Sequence, residues 1–330
     1  MKKHLNNTQD CLKAYDIQSI PKGLVLLINN EIFPNTSFER RDGSDKDFQE
    51  LKSLFKHLGF KVLPYYNLRY HEFTRVIKSF ALIEEHWNMD CCILFIMTHG
   101  HRDKVNPHAV DLLTVDNKFV SSDWVKEQFN SENCRSLMNK PKIMIFEACR
   151  TKGPKVMQVK RPKKLLREKT PPHISDMICV HSCLPGYESF TFSKTGSCFI
   201  QELCETIKAE GATMHLIAIL NKVDMKLRKR FIEKSTIPYQ ALYIENWSFN
   251  KLMFLSSRAV KYYKAAWDTI GGKKKEARYE KPPASRPLLI SRQELKKALN
   301  GIIENRLLPE FKKQLNNPLL NTFVNQEVIQ

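Results

Sequence analysis

Two stretches, FIMTHGH at Phe95–His101 and IMIFEACR at Ile143–Arg150, decide how this chain is read. Each is an apolar run that stops abruptly at a polar, reactive residue. The first delivers His99 followed by Gly100, and the second delivers Cys149. A strand end is a rigid place to hold a side chain at a set distance from another. A cysteine and a histidine held at adjacent strand ends make a thiolate nucleophile and its acid/base partner.

Outward from these stretches, strand and helix patterns alternate. GLVLLINN at Gly23–Asn30 is a near-continuous apolar run, as expected of a strand covered on both faces. Phe48, Leu51, Leu54, Phe55 and Leu58 recur at helical spacing, and Gly59 ends that helix. KVLPYY predicts a strand, and Phe73, Val76, Ile77, Phe80 and Ile83 predict a second helix. CCILFIM and KIMIFEA predict buried strands, as does DMICVHS further on. Helices are expected over Ser197–Glu210 and from MHLIAILNKV, with a closing strand at Lys251–Leu255. The class is α/β, a doubly wound central sheet with helices on both faces. Ligands of such sheets sit beyond the carboxyl ends of the strands, where His99 and Cys149 lie.

Taken together, these segments resemble the caspase family of cysteine proteases. Thr98-His99-Gly100 matches the family's Ser-His-Gly segment. Glu147-Ala148-Cys149-Arg150-Thr151 matches its Gln-Ala-Cys-Arg-Gly segment, one crossover and about fifty residues later. RRDGSDKDFQELKSLFKHLGFKV resembles the Arg-x-Gly-Thr-x-x-Asp loop and the following helix. NCRSLMNKPKIMIFEACR resembles the approach to the nucleophile, PGYESFTFSKTGSCFIQELCE the start of the small subunit, and NKLMFL the closing strand. The likeness implies a cysteine endopeptidase of apoptotic or related signalling, acting on peptide or protein substrates. Cys149 is then the nucleophile, His99 the acid/base, and the N–H groups of Gly100 and Cys149 the oxyanion site. It also implies a homodimer, or a heterodimer with another caspase.

The likeness divides the chain into a short extension (1–20) with no recruitment module, a large-subunit region (21–152) and a basic linker (153–174). A small-subunit region (175–257) and a basic tail (258–330) follow, the tail carrying an amphipathic helix on Leu295, Leu299, Ile302, Ile303 and Leu307 behind a Ser291/Glu294 capping box. That helix is expected to dock on its own domain or to bind a partner.

Composition narrows the function. The 330 residues carry a formal net charge of +18, but the excess is spread over a linker and a tail and no nucleic-acid motif accompanies it. No apolar run of about eighteen residues exists and no apolar leader opens the chain, so neither membrane nor export is expected. The nine cysteines follow no framework, which fits reduced thiols in the cytoplasm. Cys91, Cys92, His99 and His101 lack the paired spacing of a zinc site, so no metal or cofactor is expected.

The departures from the family lie at substrate and activation positions. In caspases two arginines and a glutamine clamp an aspartate at P1, the residue on the amino side of the cleaved bond. The likeness assigns these to Arg41, to Glu147 in place of glutamine, and to Thr191 in place of the second arginine, which follows a Ser-Trp pair represented here by Ser189 and Phe190. Losing one desolvated bidentate clamp costs about 2–5 kcal/mol, and an ionised Glu147 would compete with the substrate for Arg41. The catalytic pair survives while the pocket changes, so a catalytically impaired homologue that regulates active caspases by heterodimerisation is the alternative reading.

The linker departs as well. Between Cys149 and Ser175 the one acidic residue is Glu168, and there is no aspartate. The expected outcome is that aspartate-directed cleavage does not separate Cys149 from Ser197 in cells undergoing apoptosis. Blotting a chain tagged at both ends checks this, and fragments made there by such a protease would contradict it.

Overall fold

The computed structural model describes residues 13–152, 159–160, 174–233 and 239–256. The strands are β1 (Gly23–Asn29), β2 (Lys61–Tyr66), β3 (Cys91–Met97), β4 (Gly100–Arg102), β5 (Val110–Leu113), β6 (Phe119–Ser121), β7 (Lys142–Glu147), β8 (Val159–Lys160), β9 (Met177–His181), β10 (Thr191–Phe192), β11 (Gly196–Ser197) and β12 (Tyr243–Trp247). The helices are α1 (Ser44–His57), α2 (Tyr70–Ala81), α3 (Ser122–Glu127), α4 (Cys198–Glu210) and α5 (Leu216–Glu233).

Strand alternation builds two cores. In β3, Cys91, Ile93, Phe95 and Met97 face one layer, while Cys92, Leu94 and Ile96 face the other. The first layer is closed by Phe48 and Leu51 of α1, Phe199 and Leu203 of α4, and Ile219 and Leu220 of α5. The second is closed by Phe73 and Ile77 of α2 and Trp124 and Val125 of α3. Every residue of β1, β3, β7 and β9 is buried, which is why these strands read as unbroken apolar runs. The sheet order is β12-β9-β7-β3-β1-β2, parallel throughout except for β12, which runs antiparallel to β9.

Two segments differ from the sequence reading. The second helix stops at Ala81, and Ile83 instead opens a 3-10 turn over Glu84–Asn88. The expected closing strand at Lys251–Leu255 does not form, and the last strand among the described residues is β12, upstream. Leu252 makes one parallel bridge to Ala14, fixed by Tyr15 N–H to the Leu252 carbonyl and Leu252 N–H to the Lys13 carbonyl, both 2.8 Å. Met253, Phe254 and Leu255 are buried there. Their apolar character reflects packing under the N-terminal segment, whereas β12 is partly polar and so gives a weaker strand signal. The expected tail helix after Ser291, residues 1–12 and most of the linker fall outside the described residues. No helix among the described residues is long and apolar enough to cross a membrane.

A buried ionic cluster pins β12. The Lys126 ammonium lies 2.8 Å from Glu245 Oε2 and 2.7 Å from Asp123 Oδ1, and His181 Nε2 lies 2.8 Å from Glu245 Oε1. Burial works to raise the Glu245 carboxyl, but the His181 and Lys126 bonds outweigh it and hold it at about 2. Glu245→Ala would leave Lys126 and His181 short of a partner in a desolvated place. The expected loss is about 3 kcal/mol, read as a lower urea midpoint, with Glu245→Gln intermediate.

Candidate active site

The register of β3 against β7 brings the two reactive residues together. Met97 pairs with Glu147, and the Thr98 N–H donates to the Glu147 carbonyl at 3.1 Å. His99 and Cys149 each lie two residues past this last pair, at the carboxyl edge of neighbouring strands. Gly100 closes the approach. A Cβ there would stand 2.9 Å from the Cys149 carbonyl oxygen, the Ala148 Cβ and a Val110 methyl, so the two chains meet this closely because residue 100 has no side chain.

The imidazole of His99 is fixed on three sides. Its Nε2 lies 2.7 Å from the Glu39 carbonyl oxygen. A carbonyl only accepts, so Nε2 carries the hydrogen and Nδ1 of the neutral ring keeps its lone pair. Phe33 and Phe38 pack on the ring at 4.8 and 5.5 Å between centroids. Burial lowers its pKa, opposed by the Glu39 carbonyl and reinforced by the positive Arg41.

Cys149 is the described cysteine that is not fully buried. The Ser189 N–H points at its sulfur at 3.4 Å, and its thiol faces the Ser189 carbonyl at 3.6 Å. Burial pushes the thiol up. The Ser189 N–H opposes this, Glu147 and Glu188 add to it, and Arg41 offsets it. A raised thiol and a lowered imidazole are both favoured in their neutral forms.

The next residue ties the Cys149 segment to the sheet edge. Arg150 is fully buried and donates to the carbonyls of Cys183, at 3.2 Å, and of His108. Its guanidinium sits 4.7 Å from the centre of the Tyr243 ring on β12.

The pocket residues occupy one neighbourhood. Glu147 is 2% exposed and accepts the Ser189 hydroxyl at 2.6 Å through Oε1, and the Ser182 hydroxyl also bears on its carboxylate. Arg41 is buried, and its Nη1 donates to Asn29 Oδ1 at 3.0 Å and to the Asn30 carbonyl at 3.2 Å. Arg40 turns outward to Glu31 at 2.7 Å and Asp42 at 3.2 Å, so it adds no charge to the pocket. Thr191 is half-buried on β10, paired with Ser197, and Phe190 is half-buried against the first core. Gly43, at φ +90°, lets the Arg41 loop reach this segment, since a Cβ there would meet the Phe192 carbonyl at 2.3 Å.

Several contributors escaped the sequence reading. The Glu39 carbonyl is a backbone group and leaves no sequence signal. Phe33 and Phe38 are aromatic residues in a loop past a strand end, a hint that was available. Gln240 bonds the Ser189 hydroxyl and the Ser182 carbonyl from a segment remote in sequence. Asp47, by contrast, is the aspartate of the loop motif read from the sequence; it accepts from Ser197 N–H and Gln201 and so anchors α1 to α4. Among the described residues no group of His, Cys, Asp and Glu is placed to hold a metal.

Residues 22–245 match the family model of the caspase domain, and the chain belongs to the caspase family. It is similar to caspase-2 of Gallus gallus, 28% identical over 234 residues covering 66% of this chain and 54% of the relative. It is also similar to caspase-1-A of Xenopus laevis, 32% identical over 223 residues covering 62% and 55%. The matches span about half the length of these relatives. The fold is that of caspase-1 from Spodoptera frugiperda, with TM-score 0.61 and 24% identity over 78% of this chain and 96% of that one. The Drosophila initiator caspase Dronc gives TM-score 0.60 and 23% identity over 77% and 91%.

At neutral pH a thiol-reactive probe should label Cys149 in preference to Cys91 and Cys179, which are wholly buried with strongly raised pKa values. Glu147→Gln removes a negative neighbour, so its pH profile for Cys149 alkylation should move to lower pH. Peptide mapping at graded pH reads both, and equal labelling of the three thiols would contradict the assignment.

Proposed function

We propose that this chain is a caspase-type cysteine endopeptidase with an altered P1 pocket. The observation that carries the reading is the shared strand-end position of His99 and Cys149, with the His99 ring oriented by the Glu39 carbonyl. The Cys149 thiol passes its proton to His99 Nδ1 while its sulfur bonds the scissile carbonyl carbon. The developing oxyanion takes the N–H groups of Gly100 and Cys149. His99 then protonates the leaving amine as the C–N bond breaks, which leaves a thioester. A water gives its proton to His99 and attacks the thioester. The carboxylate product leaves and the thiol recovers its proton. The acidic Glu147, the neutral Thr191 and the outward Arg40 favour weak turnover of aspartate-P1 peptides at neutral pH.

A second reading is favoured by a particular feature. The outer edge of β12 is unpaired in the described sheet, with Trp247 39% exposed beside it. Such an edge accepts a partner strand, which supports association with a second copy or with another caspase and hence a regulatory role. The partner surface expected from sequence at Lys251–Leu255 moves to β12.

The expected outcome for the first reading is that a cysteine-directed peptide electrophile labels Cys149, and that His99→Ala abolishes turnover while the chain stays folded. Glu147→Gln combined with Thr191→Arg should raise kcat/KM on aspartate-P1 peptides by about two orders of magnitude or more, given the cost of a missing charged clamp. Ordinary aspartate-P1 turnover by the unaltered chain would contradict the pocket reading. Absence of labelling, together with capture of an active caspase in sedimentation, would favour the regulator.

A further inference from the structure

The stretch Phe95–His101 ends on a residue that the reaction leaves unused. His101 is the middle residue of β4, two past His99. Both rings meet Phe38, His99 at 5.5 Å and His101 at 5.7 Å between centroids. Phe119 of β6 stands 5.5 Å from His101 and meets Phe38 edge-on at 6.4 Å. Phe38, His101 and Phe119 thus form a closed triangle of rings at ordinary aromatic contact distances. Phe119 anchors the triangle, being buried in a small core with Phe33, Leu113 and Val115. His101 is held by this packing and not by its nitrogens, both of which are buried without a hydrogen-bond partner among the described residues. Burial, with His99 second, lowers its pKa, so the ring is uncharged at neutral pH. A neutral imidazole carries one N–H, and leaving it unpaired in a buried place lowers stability. What His101 gives the site is a flat wall.

That wall bears on the loop that orients the imidazole. Phe38 lies between β1 and α1, where the Arg41 N–H closes the loop by donating to the Glu31 carbonyl at 3.0 Å. Inside it the Thr36 hydroxyl donates to the Phe33 carbonyl at 2.9 Å, and the Phe38 N–H to Thr36 Oγ1 at 3.1 Å. Ser37, Glu39 and Arg40, the neighbours of Phe38, are exposed, so the Phe38 ring is the side chain of these four that is seated inward. The next carbonyl along, that of Glu39, is the one 2.7 Å from His99 Nε2. Its place follows from the seat of Phe38, because a rigid peptide plane joins the two residues.

We propose, resting on the peptidase reading, that His101 is a positioning residue. With Phe119 it seats Phe38, and the seated Phe38 both packs on the His99 imidazole and sets the Glu39 carbonyl at Nε2. His101 touches neither substrate nor the reacting atoms and acts through the shape of its ring. Taking the wall away loosens the ring contact and the Nε2 bond together. The imidazole then loses what holds the hydrogen on Nε2 and the lone pair on Nδ1, the nitrogen that must accept the Cys149 proton. A phenyl ring at residue 101 would serve as well as the imidazole, and would bury no unpaired nitrogen.

The test compares the full chain with His101→Ala, His101→Leu and His101→Phe. The first readout is the nitrogen NMR signature of the His99 ring at about pH 8, where the imidazole is neutral. Its signals are assigned by their loss in His99→Gln. The parent should show the single Nε2–H tautomer. His101→Ala should show a mixture of tautomers, and His101→Leu, which fills space without a flat ring, should do the same. His101→Phe should return the parent pattern and raise the urea midpoint, since carbon replaces two unpartnered nitrogens. On a peptide that the parent cleaves, kcat should fall by about tenfold to a hundredfold in His101→Ala with KM unchanged, and recover in His101→Phe. A parent-like His99 signature in folded His101→Ala overturns the proposal. So does a His101→Phe chain that behaves like His101→Ala, because the nitrogens would then be what matters. Loss of the fold in both the Ala and Leu variants makes the role purely structural and also overturns it. No turnover by the parent, with the tautomers responding as expected, removes the peptidase reading and leaves the seating of His99 standing. Turnover with an unresponsive tautomer removes this inference alone.

Discussion

The parallel pairing of β3 with β7 is the constraint on which the site depends. It fixes Met97 opposite Glu147, and His99 and Cys149 each follow two residues past that pair. Both strands are buried along their whole length on two faces, so a register slip would swap side chains between the two packed layers and draw the polar strand-end residues into them. The sheet thereby sets the His99–Cys149 juxtaposition. The loops add what the sheet cannot: the Glu39 carbonyl fixes the imidazole tautomer, and the Ser189 backbone lies against the thiol.

The same burial that makes the register reliable changes the chemistry of the strand-end residues. Desolvation raises Cys149, lowers His99 and raises Glu147, each by penalising the charged form. The resting site is therefore poorer in charge than its composition suggests. An acidic residue that would be ionised on the surface has its carboxyl pushed up by burial.

Rigidity extends sideways as well. Arg150, adjacent to Cys149, stacks on Tyr243, and two residues along the same strand Glu245 joins His181 and Lys126. The Cys149 segment and the edge strand are thus joined by a cation–π contact and a buried ionic cluster. The exposed outer edge of β12 is one strand removed from β9 and two from β7.

The sequence by itself determined the class of fold. The buried runs at Gly23–Asn29, Cys91–Met97 and Lys142–Glu147, with helical periodicity between them, are strong because burial on two faces demands apolar residues at every position. The same runs end just before His99 and Cys149, so the strand-end position of these two residues was legible too. The position of the last strand was not. NKLMFL is apolar because it packs under the N-terminal segment, whereas β12 has an open edge and a buried ionic cluster and so tolerates polar residues. Only the tertiary structure could decide that Arg40 turns outward and Arg41 inward, that a backbone carbonyl orients His99, and that Ser189, bonded in turn by Gln240, reaches Glu147 from a distant segment. Each of those depends on the direction of a bond between residues far apart in the chain, and residue type and spacing carry no information about direction.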